Sequence, residues 1–366
     1  MIPGVPSPFL ADTRPYALVP PRKKAHLLES LIQVQEFHAV RCGPYGRLLS
    51  EWRRRCPSPS EVSDLPYLPV TVFKDGVLRS ASDDAMQLNS SATTSDRSSM
   101  VFADRETRIR QTTSANAILR DFVGYERRPY LVFDVEATVR GGAAMSARGA
   151  AILGLAHLSS EIYFVMRQEG ERIRIDRAAL RRAIDAVSGR PFLAYGFTHV
   201  LYSAHQELRE DGPWSWTAHP GSYVLHSGGW KRLQAIAVDK SRFNAIIGGV
   251  WGLADRNVID FYGVIEQAGI PYPDCEEGLK HPPYWADVVI RASDSLDPVD
   301  EGGMGLIQLM NCLPLGGPNH SVLTEDLGEL VVRDGCRCGR RGVGFRFMGR
   351  APRAEIRGCS DVAQRG

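Results

Sequence analysis

Residues 222–230 read SYVLHSGGW; after a helix-patterned stretch, SRFNAIIGGVWG (241–252), residues 257–263 read NVIDFYG. Both outer runs are short, apolar and rich in β-formers, and each runs into glycine, at Gly228-Gly229 and at Gly263. Asp239 stands where a helix N-cap belongs. A strand, a helix and a second strand in this order predict a βαβ unit with parallel strands. The same alternation extends toward the N-terminus. Asp104 caps a predicted helix over 105–123, in which Ile109, Leu119 and Phe122 recur at roughly helical spacing. PYLVFD (129–134) reads as a buried strand, and a small-residue helix follows over 141–158. A strand (IYFVMR, 162–167), a helix from Asp176 to about Val187 and a strand (PFLAYGF, 191–197) complete the series. The expected fold class is layered α/β with a largely parallel sheet. Ligands of such sheets sit beyond the strand C-termini, where HSGGW and DFYGVIE fall. After residue 285 the pattern changes to short strands and turns (YWADVVI, MGLIQLM, GELVVRD), a small β-rich lobe over about 285–350.

The chain has 366 residues, 43% hydrophobic and 23% charged, with 44 basic against 42 acidic side chains. That length holds a large core, and the near-neutral balance gives no electrostatic case for nucleic acid. Arginine clusters such as EWRRRC (51–56) read as solvated faces. No run approaches the length of a membrane-spanning helix, and the N-terminus shows no basic-then-apolar leader pattern, so no membrane span is expected. Seven cysteines, an odd number scattered from Cys42 to Cys359, point to reduced thiols and a cytoplasmic location.

Between the apolar run VTVFKDGVLRS and the helix at 105 lies LNSSATTSDRSSM (88–100). By itself such a hydroxyl run reads first as a solvated linker; the other reading is a loop that wraps a phosphate with hydroxyls and backbone N–H groups. Ordered context separates the two readings. Ser90, Ser91, Thr93, Thr94 and Ser95 resemble the phosphate loop of adenylate-forming enzymes, the superfamily of acyl-CoA synthetases, adenylation domains and luciferases. Gly228-Gly229 resembles its adenine-contacting turn, and Tyr262-Gly263-Val264-Ile265-Glu266 its Tyr-Gly-x-Thr-Glu motif. Asp326, in LTEDLG, falls where that superfamily binds ribose hydroxyls, and Gly349-Arg350 resembles its hinge. More narrowly, LPYLPVTVFK (65–74), SSATTS with DRET, GFT, SGGWK, LTEDLG, CRCGRRG and EIRGCSD, in order over about 65–361, resemble the LuxE-type acyl-protein synthetases of bacterial bioluminescence. Those proteins form the fatty-acid-activating component of a fatty acid reductase.

The resemblance implies ATP and Mg²⁺ as cofactors and a carboxylic acid as substrate. The Ser90–Ser95 loop would hold the triphosphate, Glu266 the Mg²⁺, Asp326 the ribose diol, and Arg350 the same nucleotide region. Lys231, in GGWK, is a candidate cation for the α-phosphate or a surface lysine after a turn. Thr198 and Ser227 are candidate walls of the acid pocket. Ala92 and Ser95 replace usual loop glycines, and Ile265 replaces a hydroxyl residue. The implied organisation is an N-terminal helical segment over 1–60, then an adenylate-forming catalytic domain over 61–366. The latter resembles the superfamily's N-terminal domain, with the β-rich lobe and a hinge-like tail at 349–366; it lacks the mobile C-terminal domain.

Cys359 matches the near-terminal cysteine that carries the acyl group in the resembled family, for which a thiolate suits both attack and departure; the plain alternative is a small buried hydrophobe. Cys336 and Cys338, with Cys275 and His281 upstream in PDCEEGLKH, would close a tetrahedral structural zinc site. Cys312 is an alternative fourth ligand, Cys42 and Cys56 are incidental, and the alternative is unligated residues near turns. The function expected is ATP-dependent activation of a carboxylic, foremost a fatty, acid and transfer through Cys359 to a partner reductase or carrier. Two other readings stay open: a ligase passing an aryl or short acyl group to an amine or carrier thiol, and a non-catalytic nucleotide- or zinc-binding partner subunit.

Overall fold

A computed structural model describes residues 14–82, 84–89, 98–140, 147–170, 172–210, 216–230 and 235–351. Among these, residues 14–89, 98–118 and 264–351 form one compact unit, and residues 119–263 form a second.

The first unit opens on two helices, α1 (Pro20–Arg41) and α2 (Gly43–Arg55). Pro20 starts α1 where its missing N–H costs nothing. Leu27, Leu31 and Val34 follow at spacings of four and three and are buried. Leu27 and Leu31 join Val62, Leu65 and Met310 in one apolar cluster. After β1 (Leu68–Pro69) come the single-turn α3 (Val72–Asp75), the hairpin β2 (Met86–Asn89) with β3 (Met100–Ala103), and α4 (Arg105–Val123). Asp104 accepts a hydrogen bond from the Thr107 N–H at 2.7 Å, so α4 begins where its cap predicts.

The second unit carries β4 (Arg128–Val132), α5 (Ala137–Arg140), α6 (Ala147–Leu155), β5 (Ser159–Phe164), β6 (Met166–Glu169), β7 (Arg172–Ile175), α7 (Arg177–Val187), β8 (Leu193–Phe197), α8 (Thr198–Glu210), β9 (Tyr223–Ser227), α9 (Lys240–Trp251) and β10 (Val258–Tyr262). Its strands β5, β4, β8, β9 and β10 lie side by side in that order, every pair parallel. Both predicted caps are present: Asp176 accepts from Ala179 N–H at 2.9 Å and Asp239 from Arg242 N–H at 2.8 Å. One reading needs correction. The run IYFVMR is not one strand: Val165 separates β5 from β6, which forms an antiparallel hairpin with β7. The Val165 N–H still reaches Val132 O at 3.0 Å, after which the chain leaves the sheet.

The remainder of the first unit is β11 (Tyr272–Pro273) and the strands of the β-rich lobe, β12 (Ala286–Arg291), β13 (Met304–Asn311), β14 (Ser321–Val332) and β15 (Gly344–Arg350). β14 pairs antiparallel with β13 along one edge. Along its other edge β1 lies parallel against Val322 and Leu323, and β15 runs antiparallel from Asp326 to Val332. The strand at 68–69, far off in sequence, thus completes this sheet.

Two buried histidine arrangements make the fold acid-sensitive. In the first unit His38 stacks on His320 with ring centroids 5.2 Å apart, and burial holds His38 down to about 3. In the second, His205 contacts Leu201 O through Nδ1 and takes the Trp251 indole N–H on Nε2 at 2.7 Å; burial holds it down to about 4. A second ring proton on His205 would face that indole donor. In an unfolded chain these imidazoles titrate near 6.5, so below that pH the unfolded state binds protons the native state refuses. Their stabilisation is complete above about 6.5 and falls by about 1.4 kcal/mol per pH unit for each histidine as pH drops toward the folded values. Urea midpoints between pH 7 and pH 4.5 should decline accordingly, and His205→Gln should give a shallower slope.

Candidate active site

The parallel sheet places polar side chains together at its C-terminal edge. In register, Phe197 lies opposite Ser227, and His226 opposite both Gly196 and Asp260. Thr198, the first residue of α8, donates its hydroxyl to Ser227 O at 3.1 Å and meets His226 Nδ1 at 3.0 Å. The Ser227 hydroxyl is 2.9 Å from the Tyr195 hydroxyl, and His226 Nδ1 is 3.5 Å from an Asp260 carboxylate oxygen. Thr198 and Ser227 are therefore brought together. Tyr195, an aromatic of the YGFTH run, joins them, as do His226 and Asp260, whose signal was their position at the ends of adjacent predicted strands.

Two residues beyond the His226–Asp260 pair, β10 ends on Tyr262, followed by Gly263, and β9 runs into Gly228 and Gly229. These glycines have φ of +81° and +62°, a left-handed pair that side-chain-bearing residues avoid. A Cβ at Gly228 would meet the Phe197 ring at 3.4 Å, an ordinary contact, so the backbone angle and not space calls for glycine there. Such a turn exposes successive backbone amides to a ligand.

In the first unit Glu266 sits in a single 3₁₀ turn, Ile265–Gln267, and is buried. Burial raises its carboxyl above the usual range, against a Ser99 hydrogen bond, while the charge on Asp326 raises it and Lys74 lowers it. Asn319 donates to the Glu266 carbonyl at 2.6 Å; Gln267 donates to Asn319 O at 2.5 Å and accepts from Asn311. Ser99, Asn319 and Asn311 thus fix the turn, a role with no local sequence signature. A carboxylate held in so low a dielectric is a strong acceptor for a hard cation.

Across the β14–β15 ladder Asp326 pairs with Arg350, whose Nε lies 3.9 Å from Asp326 Oδ1. Gly349 adopts φ of +111° just before it, which re-aims the strand end. Arg350 Nη2 is also 4.0 Å from Glu325 Oε2, and Lys74 Nζ is 3.3 Å from the same oxygen. Glu266, Asp326 and Arg350 fall in one electrostatic neighbourhood, with Lys74 as a further member.

Cys275, His281, Cys336 and Cys338 place their ligand atoms within 4.8 Å of one another. Cys275 Sγ is 4.0 Å from Cys336 Sγ, and Cys338 Sγ is 3.5 Å from His281 Nε2. A tetrahedron with Zn–S of about 2.3 Å and Zn–N of about 2.1 Å spaces its ligands by about 3.5–3.8 Å, so the group fits that ion. His281 Nδ1 lies 3.0 Å from Val343 O, which directs Nε2 at the sulfurs, and burial keeps the ring neutral by lowering it to about 4. Burial also raises the Cys275 thiol to about 12 and the Cys336 thiol above its ordinary value. Cys312 is not part of the group; its thiol faces Trp285 O at 3.4 Å. Ser90, Ser91, Thr93, Thr94, Ser95, Lys231 and Cys359 lie outside the described residues.

The protein is 24% identical over 307 residues to the long-chain-fatty-acid–luciferin-component ligase of Vibrio harveyi, covering 82% of this chain and 77% of the relative. A shorter match, 28% over 107 residues, joins it to the ligase of the same name from Aliivibrio fischeri, over 29% of this chain and 28% of that one. In fold it is similar to 2-hydroxyisobutyryl-CoA ligase in the postadenylation state with 2-HIB-AMP, with a TM-score of 0.70 and 14% identity over 94% of this chain and 72% of that one. The fold is thus that of adenylate-forming ligases. The profile of the acyl-protein synthetases, LuxE, matches residues 11–365, and the chain belongs to that family.

Proposed function

We propose that the protein joins a carboxylic acid to ATP, releasing pyrophosphate and forming an acyl-adenylate, and then passes the acyl group through the Cys359 thiol to a partner protein. Family membership makes it a ligase that activates an acid. The observation that carries the rest is the convergence of Glu266, Asp326 and Arg350 in the first unit. The Vibrio harveyi relative is named for a long-chain fatty acid, which makes a fatty acid the first substrate to test.

Asp326 would accept two hydrogen bonds from the ribose diol, with Arg350 beside it against the phosphates. Glu266 would hold Mg²⁺, which when bound neutralises charge on the leaving pyrophosphate. The Ser90–Ser95 loop would donate to the triphosphate, and the left-handed Gly228–Gly229 turn would let backbone approach the adenine. Lys231 would supply a further cation to the same nucleotide, and the hydroxyls of Thr198 and Ser227 would line the acid pocket. Structural zinc on Cys275, His281, Cys336 and Cys338 would tie the loop after Glu266 to the turn that feeds β15 and Arg350. The free cysteines support a reducing, cytoplasmic location, and among the described residues no helix is long and apolar enough to cross a membrane.

The test is acid-dependent exchange of labelled pyrophosphate into ATP with Mg²⁺, run across fatty, aryl and short acids. Exchange with fatty acids is expected. Cys359→Ala should leave exchange near the parent rate and abolish covalent labelling of the protein by the acid. Exchange with an aryl or short acid alone would redirect the substrate class. Absence of exchange together with absence of ATP binding would leave a non-catalytic scaffold.

A further inference from the structure

We propose that Lys74 is a catalytic cation of the adenylation step, parked on Glu325 in the free protein and turned onto the α-phosphate when ATP binds. The inference rests on the roles proposed above for Glu266 and Asp326. Lys74 lies in α3, the turn that follows β1, and β1 pairs with Val322 and Leu323 on the edge of β14. That pairing brings the Lys74 ammonium to 3.3 Å from Glu325, one residue before Asp326. Phe73, 1% exposed, pins the turn, while the Lys74 and Glu325 side chains keep about a quarter of their surface, 24% and 25%. A ligand can reach this pair.

The covalent order of ATP locates what Lys74 would meet. The α-phosphate stands between the ribose and the β- and γ-phosphates. With the ribose on Asp326 and the metal-bound phosphates toward Glu266, the α-phosphate falls between these two carboxylates. Lys74 is the cation that bridges them: it pairs with Glu325 beside Asp326, and its charge also acts on the Glu266 carboxylate. Glu266, Glu325 and Asp326 would by themselves repel a triphosphate. Arg350, 3.9 Å from Asp326 and 4.0 Å from Glu325, adds positive charge on the ribose side, and Lys74 adds it on the side of Glu266. In the step, a carboxylate oxygen of the acid bonds to the α-phosphorus as the bond to the α–β bridging oxygen breaks. The electron pair departs with pyrophosphate. No proton moves, so Lys74 stays an ammonium and stabilises the charge gathering on the non-bridging oxygens.

Three variants separate this role from that of a structural ion pair, with pyrophosphate exchange and thermal melting measured on each. Lys74→Met is expected to lower kcat for exchange by about 100-fold or more, with a smaller change in KM for ATP. Glu325→Gln breaks the same ion pair but frees Lys74, and its exchange should stay within about threefold of the parent. Lys74→Arg keeps a cation for Glu325 and the fold yet displaces the charge, and a loss of about tenfold in kcat is expected. Equal losses in Lys74→Met and Glu325→Gln, or full activity in Lys74→Arg, would show that Lys74 only holds Glu325 and would overturn the proposal. A parent protein that exchanges with no acid would instead remove the adenylation reading, and this role with it.

Discussion

Replacing Glu266 with glutamine is expected to lower acid-dependent pyrophosphate exchange by about 10²–10³-fold while leaving the fold at least as stable as the parent. The two halves of this result have one cause. Burial raises the Glu266 carboxyl, so the ionised form is costly in the free protein. A neutral amide of the same shape removes that cost and can still accept from Ser99. The Asn319 bond to the Glu266 backbone carbonyl does not involve the changed group. What the amide lacks is the charge that holds Mg²⁺ against departing pyrophosphate. Exchange assays over a range of Mg²⁺ concentrations, with melting curves alongside, check both halves. A variant that melts lower and keeps its exchange rate would assign Glu266 to the fold.

Cys336→Ser should cost the protein a bound metal and much of its stability. Purified parent is expected to contain one zinc per chain, and the variant almost none. Buried thiols held protonated, as Cys275 is, gain little without an ion, whereas three thiolates and a neutral imidazole close a structural site. Small zinc-dependent folds draw on the order of 10 kcal/mol from the metal; here the cluster sits on a larger core, and a loss of about 3–5 kcal/mol is expected. That corresponds to a melting temperature lower by roughly 5 °C. Elemental analysis and calorimetry decide the matter. Metal-free parent protein that melts where the zinc-loaded protein does would leave Cys275, Cys336 and Cys338 as packing residues.

Much of the architecture could be read from residues 104–263 because its signals are local. Asp104, Asp176 and Asp239 each announce a helix, and each accepts the hydrogen bond that its position predicts. The strands between them are short apolar runs, and their alternation with helices announces parallel pairing, though not the order in which they lie. The IYFVMR break was not legible, since the residue at which a strand leaves a sheet depends on its neighbour's length and not on its own composition. The lobe after 285 was legible as strands, but its β1 partner was not: Leu68-Pro69 is two residues long and pairs with Val322 and Leu323. The same distance hid Lys74, whose partner Glu325 is remote in sequence. Ser99, Asn319 and Asn311 escaped for a related reason, because a side chain that orients another is ordinary in its own neighbourhood. The zinc candidates were visible since Cys-x-Cys and His281 carry ligand chemistry in their identity, and the fold brings those four together.

The split edge of β14 also sets an order in time. Among the described residues the second unit occupies one stretch, 119–263, whereas the first is assembled from segments on both sides of it. On the ribosome, β4, β5, β8, β9 and β10 can pair as soon as β10 emerges, since their pairings with one another lie within that stretch. The β1 strand must wait, exposed, until β14 has been made, and the ladder to β15 closes last. During that interval α1 has no β13 against which to bury Leu27 and Leu31. Vectorial synthesis therefore leaves Leu27, Leu31 and the Leu68–Pro69 strand without their β13 and β14 partners until most of the chain has emerged.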